Sequence, residues 1–236
     1  MTNSRTVTDP QERIILALDV PNFSEAQAWI DRLPEVKFWK VGLQLFVADG
    51  QRVLNYLREQ EKRIFLDLKL HDIPNTVARA CASALIYQVD FLTVHISGGK
   101  TMLQQAQAVV QNSATKLLGI TVLTSLTDVD LACLKVSMTT PEYVQHLAQI
   151  AQELGLAGVV CSPQELAVLR SMFPSPFLLV TPGIRLEGDA AGDQHRYGTP
   201  SQAFSQGADY IVVGRSVLGA DHPELAWASL CASISL

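Results

Sequence analysis

The chain has 236 residues, 48% of them hydrophobic and 17% charged, with a formal net charge of −5. That apolar share supplies a globular core and excludes global disorder, and the acidic balance gives no electrostatic reason to expect nucleic acid as a partner, since affinity there comes from clustered Lys and Arg. The length suits one large α/β domain or two small ones.

The opening "MTNSRTVTDPQER" has no apolar stretch of the kind a signal peptide needs, and no later segment holds the roughly 18 consecutive apolar residues of a membrane span. A cytoplasmic location and a flexible tail over residues 1–12 follow as expectations. Short apolar runs then recur: "IILALDV" 14–20, "VKFWKVG" 36–42, "RIFLDLKL" 63–70, "FLTVHI" 91–96, "KLLGITVLT" 116–124, "AGVVCS" 157–162, "FLLVTPGI" 177–184 and "YIVVGRSVL" 210–218. Each reads as a strand. The stretches between them, such as "SEAQAWIDRL", "TVARACASALIY", "PEYVQHLAQIAQELG" and "PQELAVLRSMF", carry apolar residues at three- and four-residue steps, as amphipathic helices do.

Eight such units without a Pro/Gly-rich linker or a shift in composition predict an α/β fold, a single (β/α)8 TIM barrel over residues 13–236, rather than a doubly wound sheet. The first strand also lacks the G-x-G-x-x-G turn of a dinucleotide site. Cys81, Cys133, Cys161 and Cys231 are scattered with no C-x-x-C pair, which predicts reduced thiols in a core rather than a zinc site or a disulfide framework.

Alternation along the strands sends Leu16 and Leu18 outward and Asp19 inward. Likewise Trp39 and Val41 face the helices while Lys40 faces inward, and Leu66, Leu68 and Leu70 face the helices while Phe65, Asp67 and Lys69 face the interior. Three adjacent strands thus deliver Asp19, Lys40, Asp67 and Lys69 to the C-terminal strand ends, where barrel active sites are built. Interleaved carboxylates and ammonium groups can neutralise one another in a low-dielectric cavity, either as a structural ion-pair ring or as a catalytic network. A lysine between Asp67 and Asp72 favours its charged form, so Lys69 suits the stabilisation and protonation of a carbanion better than Schiff-base chemistry.

His95 alternates inward on the fourth strand and suits a supporting role; His71 reads as a loop residue. No H-x-x-x-H or carboxylate–histidine spacing marks a metal site, and none is expected. The Gly-rich stretch "TPGIRLEGDAAGDQHRYGTPSQA" 181–203 and Gly214-Arg215 occupy the places where barrels bind phosphate, with Arg215 as the cationic ligand.

Taken together, "LALDV", "WKVG", "FLDLKLHDIPNTV", "TVLTS", "TPGIR", "GDQHR" and "VVGRS" resemble the orotidine 5′-phosphate decarboxylase family of the bacterial type, from about residue 13 to the C-terminus. The resemblance implies conversion of orotidine monophosphate to UMP and carbon dioxide, the last step of de novo pyrimidine synthesis, by a homodimeric barrel without metal or organic cofactor. It matches Lys40, Asp67, Lys69 and Asp72 to the catalytic charge network, with Lys40 and Asp19 also contacting substrate, Asp19 at the ribose. It matches Thr124 and Ser125 to the pyrimidine-recognising region, Pro182 and Arg185 to ligand-binding positions, Gln194 to a phosphate contact, and Gly214 with Arg215 to the phosphate grip. Thr76 belongs to the family's binding segment, and Asp72 enters the neighbouring subunit's site. A sugar-phosphate decarboxylase or synthase of the same superfamily shares D-x-K-x-x-D and works with magnesium on an enediolate, but "DIPNT" and "GDQHR" speak against it. A silent nucleotide-binding barrel is the other alternative.

Overall fold

In the computed structural model, residues 10–185 and 198–234 are described. Eight parallel strands, β1 (Ile14–Ala17), β2 (Phe38–Gly42), β3 (Arg63–Leu70), β4 (Phe91–His95), β5 (Lys116–Ile120), β6 (Gly158–Val160), β7 (Leu178–Thr181) and β8 (Tyr210–Val213), close into a barrel in chain order. The helices α1 (Phe23–Arg32), α2 (Leu43–Glu59), α3 (Pro74–Leu85), α4 (Lys100–Val110), α5 (Asp128–Cys133), α6 (Thr140–Glu153), α7 (Leu166–Met172), α8 (Pro200–Ser205), α9 (Arg215–Leu218) and α10 (Pro223–Ala232) alternate with them. This is the predicted (β/α)8 barrel. Of the leading segment, residues 1–9 lie outside the described residues and Pro10–Arg13 form a 3-10 turn.

Local chemistry starts the helices where the sequence permits. The Asn22 side chain accepts a hydrogen bond from the Glu25 amide at the start of α1, and Thr139 with Glu142 does the same reciprocally for α6. Pro74 opens α3, where its missing N–H has no helical partner to lose.

Strand alternation divides the core in two. Outward residues such as Leu16, Trp39, Leu66, Leu92 and Val213 pack against the helices, whereas Ile15, Phe38, Phe65, Phe91, Leu118, Val180, Tyr210 and Val212 fill the barrel. Phe38, Phe91 and Tyr210 each begin a strand and meet edge to face, with ring centroids 5.0 to 5.9 Å apart. The Arg63 guanidinium stacks 4.0 Å from the Phe38 centroid and pairs with Asp90 at 2.9 Å. The N-terminal mouth is therefore plugged, and the interior opens at the C-terminal strand ends.

Several strands end earlier than the apolar runs predict. The runs at 14–20, 116–124, 157–162, 177–184 and 210–218 stop pairing after Ala17, Ile120, Val160, Thr181 and Val213, and the runs at 36–42, 157–162 and 177–184 also start pairing late. Hydrophobicity reports burial rather than ladder hydrogen bonds: Val122 and Ile184 stay buried because they line the open mouth, and Val217 because it packs in the helical layer.

The cysteine expectation needs correction in one place. Cys81 and Cys161 are buried, but Cys133 ends α5 and is exposed. Burial pushes the Cys81 thiol up to about 11 and the Cys161 thiol further in the same direction. A thiol reagent at pH 8 is therefore expected to label Cys133 in the native chain and to reach Cys81 and Cys161 only after unfolding, as mass spectrometry of the labelled peptides would show. Labelling of Cys161 as fast as Cys133 would contradict this. Among the described residues no helix is long and apolar enough to cross a membrane.

Candidate active site

The first three strands bring an alternating chain of charges to the open mouth. Lys40 Nζ lies 2.9 Å from Asp19 Oδ1 and 3.9 Å from Asp67 Oδ2, and Lys69 Nζ lies 2.7 Å from the same Asp67 oxygen. Asp67 is only 8% exposed, whereas the Asp19 side chain is 63% exposed. A buried carboxylate is tolerable only when paired, and the two ammonium groups supply that pairing. Gly42 is part of this arrangement, because a Cβ there would lie 3.0 Å from Lys40 Nζ and 3.2 Å from Asp19 Oδ1.

Beneath the charges, β3 does not run as a regular strand. Leu66 pairs with Leu92 and Leu70 with Val94, so four steps on β3 face two on β4. Lys69 sits in this bulge with a φ of 50°, a left-handed conformation that costs a non-glycine residue about 1–2 kcal/mol. Thr93, opposite the bulge and fully buried, accepts a hydrogen bond from the Lys69 amide at 2.9 Å and donates one to Asp67 Oδ1 at 3.0 Å. Alternation on β4 could have flagged Thr93 as inward, two residues before His95. An uncharged threonine carries no stronger signal than that parity.

Asp19, Lys40, Asp67 and Lys69 border a cavity of about 270 Å³. Its wall is apolar along Ile120, Val122, Val160 and Val212, and Thr124 stands on the β5 side. Its far rim carries Pro182, Arg185, Gly214 and Arg215 from the ends of β7 and β8. The Arg185 Nε is buried and without a hydrogen-bond partner among the described residues. One side of the cavity is thus anionic and cationic in alternation, the opposite rim is cationic, and a dry wall lies between. Such a site suits a small phosphorylated ligand with an apolar ring.

A second recess, beside Lys69, is bounded by Leu43, His71 and His95. The two imidazole centroids are 5.4 Å apart. Burial, then the neighbouring His71 and Lys69, hold the His95 pKa below the ordinary imidazole value against the opposing pull of Asp67, which favours a neutral ring at neutral pH.

Comparison with known proteins decides the family. Residues 12–230 match the model of the Orotidine 5′-phosphate decarboxylase / HUMPS family. The chain is 51% identical to the orotidine 5′-phosphate decarboxylase of Thermosynechococcus vestitus, with 94% of this chain and 95% of that one covered. It is 50% identical to the enzyme of that name from Gloeothece citriformis, over 95% and 98%. The chain belongs to this family. A crystal structure of orotidine 5′-phosphate decarboxylase from Lactobacillus acidophilus superposes with a TM-score of 0.82 at 35% identity, covering 94% of this chain and 99% of that one.

Among the positions matched to the decarboxylase family, the structure gathers Asp19, Lys40, Asp67, Lys69, Thr124, Pro182, Arg185, Gly214 and Arg215 around one cavity. Ser125 is exposed and not part of that lining. Asp72 and Thr76 are exposed and also lie off the lining, with Asp72 Oδ1 turned back to the Ile73 amide. Gln194 lies outside the described residues.

Proposed function

We propose that this chain decarboxylates orotidine monophosphate to UMP, as the last step of de novo pyrimidine synthesis, in a cytoplasmic homodimer. The observation that carries the reading is the alternating Asp19–Lys40–Asp67–Lys69 chain at the mouth of a cavity whose opposite rim is cationic.

Breaking the bond between the ring and its carboxylate leaves an electron pair on a ring carbon with no built-in electron sink. Lys69 is the group suited to meet it: its ammonium, held by Asp67, stabilises the developing carbanion and then transfers a proton to that carbon, forming the new C–H bond. The neutral amine left behind regains its proton from solvent. The apolar wall excludes water and strengthens this electrostatic interaction. Lys40 belongs to the catalytic charge network and also contacts substrate, Asp19 serves the ribose, and Thr124 with Ser125 serves the pyrimidine edge. Arg215, Gly214, Arg185 and Gln194 hold the phosphate, with Arg185 Nε, which has no hydrogen-bond partner among the described residues, a ready donor.

Asp72 fits as a residue given to the neighbouring subunit's site, with Thr76 close by in the same binding segment. Both are exposed and lie off the lining of the chain's own cavity, and exposed apolar side chains at Leu43, Val47 and Ile73 provide material for an isologous contact.

The direct assay follows the ultraviolet absorbance of orotidine monophosphate in the presence of excess chelator. Its undiminished loss over time is expected. A chelator-sensitive activity, or none, would instead favour a sugar-phosphate decarboxylase or synthase. For Arg215→Ala, KM is expected to rise on the order of ten- to a hundredfold, the worth of a charge-assisted phosphate contact, and kcat to fall where phosphate binding energy also serves the chemical step. An unchanged KM would remove the phosphate assignment.

A further inference from the structure

We infer that Thr93 is a positioning residue for the decarboxylation: its single hydroxyl sets both the Asp67 carboxylate and the strained Lys69 backbone that together aim the Lys69 ammonium. The inference rests on the proposed function and adds a residue that does not touch substrate, since Thr93 is not part of the cavity lining.

The hydrogen-bond directions are fixed by chemistry. A hydroxyl has one hydrogen. An ionised carboxylate can only accept, and a backbone N–H can only donate, so Thr93 must donate to Asp67 Oδ1 and accept from the Lys69 amide. One atom thereby joins the two ends of the bulge. The bulge takes the Lys69 amide out of the regular pairing with β4, and the Thr93 oxygen stands in as its acceptor. The same contact supports Lys69 at its φ of 50°, a conformation that persists only where the surroundings hold it.

The Asp67 carboxylate is oriented by the other bond. With Oδ1 taken by Thr93, Oδ2 is left for Lys69 at 2.7 Å and Lys40 at 3.9 Å. Removing the hydroxyl leaves a buried carboxylate oxygen and a strand amide without a partner, and lets the bulge relax. The phosphate rim, beyond the ends of β7 and β8 across the cavity, is untouched by this change. The loss should therefore fall on kcat and spare binding.

Three variants test this. Thr93→Val keeps the shape and removes the hydroxyl, Thr93→Ala removes it without crowding, and Thr93→Ser keeps it. For each, kcat and KM on orotidine monophosphate are measured beside UMP affinity by calorimetry and folding by circular dichroism. The expected result is a fall in kcat of roughly ten- to a hundredfold in Val and Ala, with KM and UMP affinity within about threefold of wild type, and a Ser variant within about threefold throughout. Wild-type kcat in Val or Ala overturns the inference, as does a Ser variant as slow as Val, or a KM that rises as steeply as kcat falls. Should Val and Ala both fail to fold, the Ser variant still decides, because impaired turnover with the hydroxyl present contradicts the assignment and rescue supports it. A wild-type chain inert toward orotidine monophosphate overturns the proposed function itself, an outcome distinguishable from wild-type activity that survives loss of the hydroxyl.

Discussion

Replacing Lys69 by alanine is expected to lower turnover of orotidine monophosphate by about 10⁴-fold or more while leaving the fold and UMP binding in place. The size follows from the two tasks assigned to one side chain, stabilising the carbanion and protonating it. The fold should survive because Asp67 keeps its bond from Thr93 and its pairing with Lys40, and because alanine at a φ of 50° meets the same left-handed penalty as lysine. Binding should survive because the rim proposed to hold the phosphate follows β7 and β8, away from β3. Near-normal product formation by Lys69→Ala would refute the role.

The second large effect is a recovery. Lys69→Ala and Asp72→Ala chains should each be nearly inactive alone and regain activity when mixed under conditions that exchange subunits. If Asp72 completes the partner's site, one site of a hybrid dimer inherits both defects while the other has an intact Lys69 and an intact Asp72. Random exchange makes half of the dimers hybrids with one good site of two, so the rate should approach about one quarter of wild type for a two-fold-symmetric dimer. A mixture that exchanges subunits yet stays as inactive as its parents would place Asp72 in its own subunit's site. The exposed position of Asp72, outside the lining of its own cavity, favours recovery.

Much of this arrangement is legible in the sequence. Alternation placed Lys40 and Asp67 on the inner side of β2 and β3 because the side chains of a strand alternate whatever the loops do. The strand ends were not legible, since apolar residues such as Val122 and Ile184 continue beyond the ladder to line the mouth. Nor was the bulge: Lys69 has the same parity as Asp67 in a regular strand, and nothing in "LDLKL" announces a left-handed lysine. Thr93 and Gly42 leave no mark in the sequence because their contributions are a hydroxyl and an absence of Cβ, which carry no charge or period. The direction of Asp72 could not follow from alternation, as it lies past the end of β3.

The central claim is that this charge cluster breaks one carbon–carbon bond and forms one carbon–hydrogen bond. It is tested most directly by giving the purified wild-type chain orotidine monophosphate labelled with carbon-13 in its carboxylate, in heavy water with excess chelator, and following the products by NMR. Labelled carbon dioxide should appear in step with UMP, and each UMP should carry a single deuteron on the ring carbon that lost the carboxylate. Substrate that keeps its label, or label lost only when a divalent metal is supplied, would contradict the account.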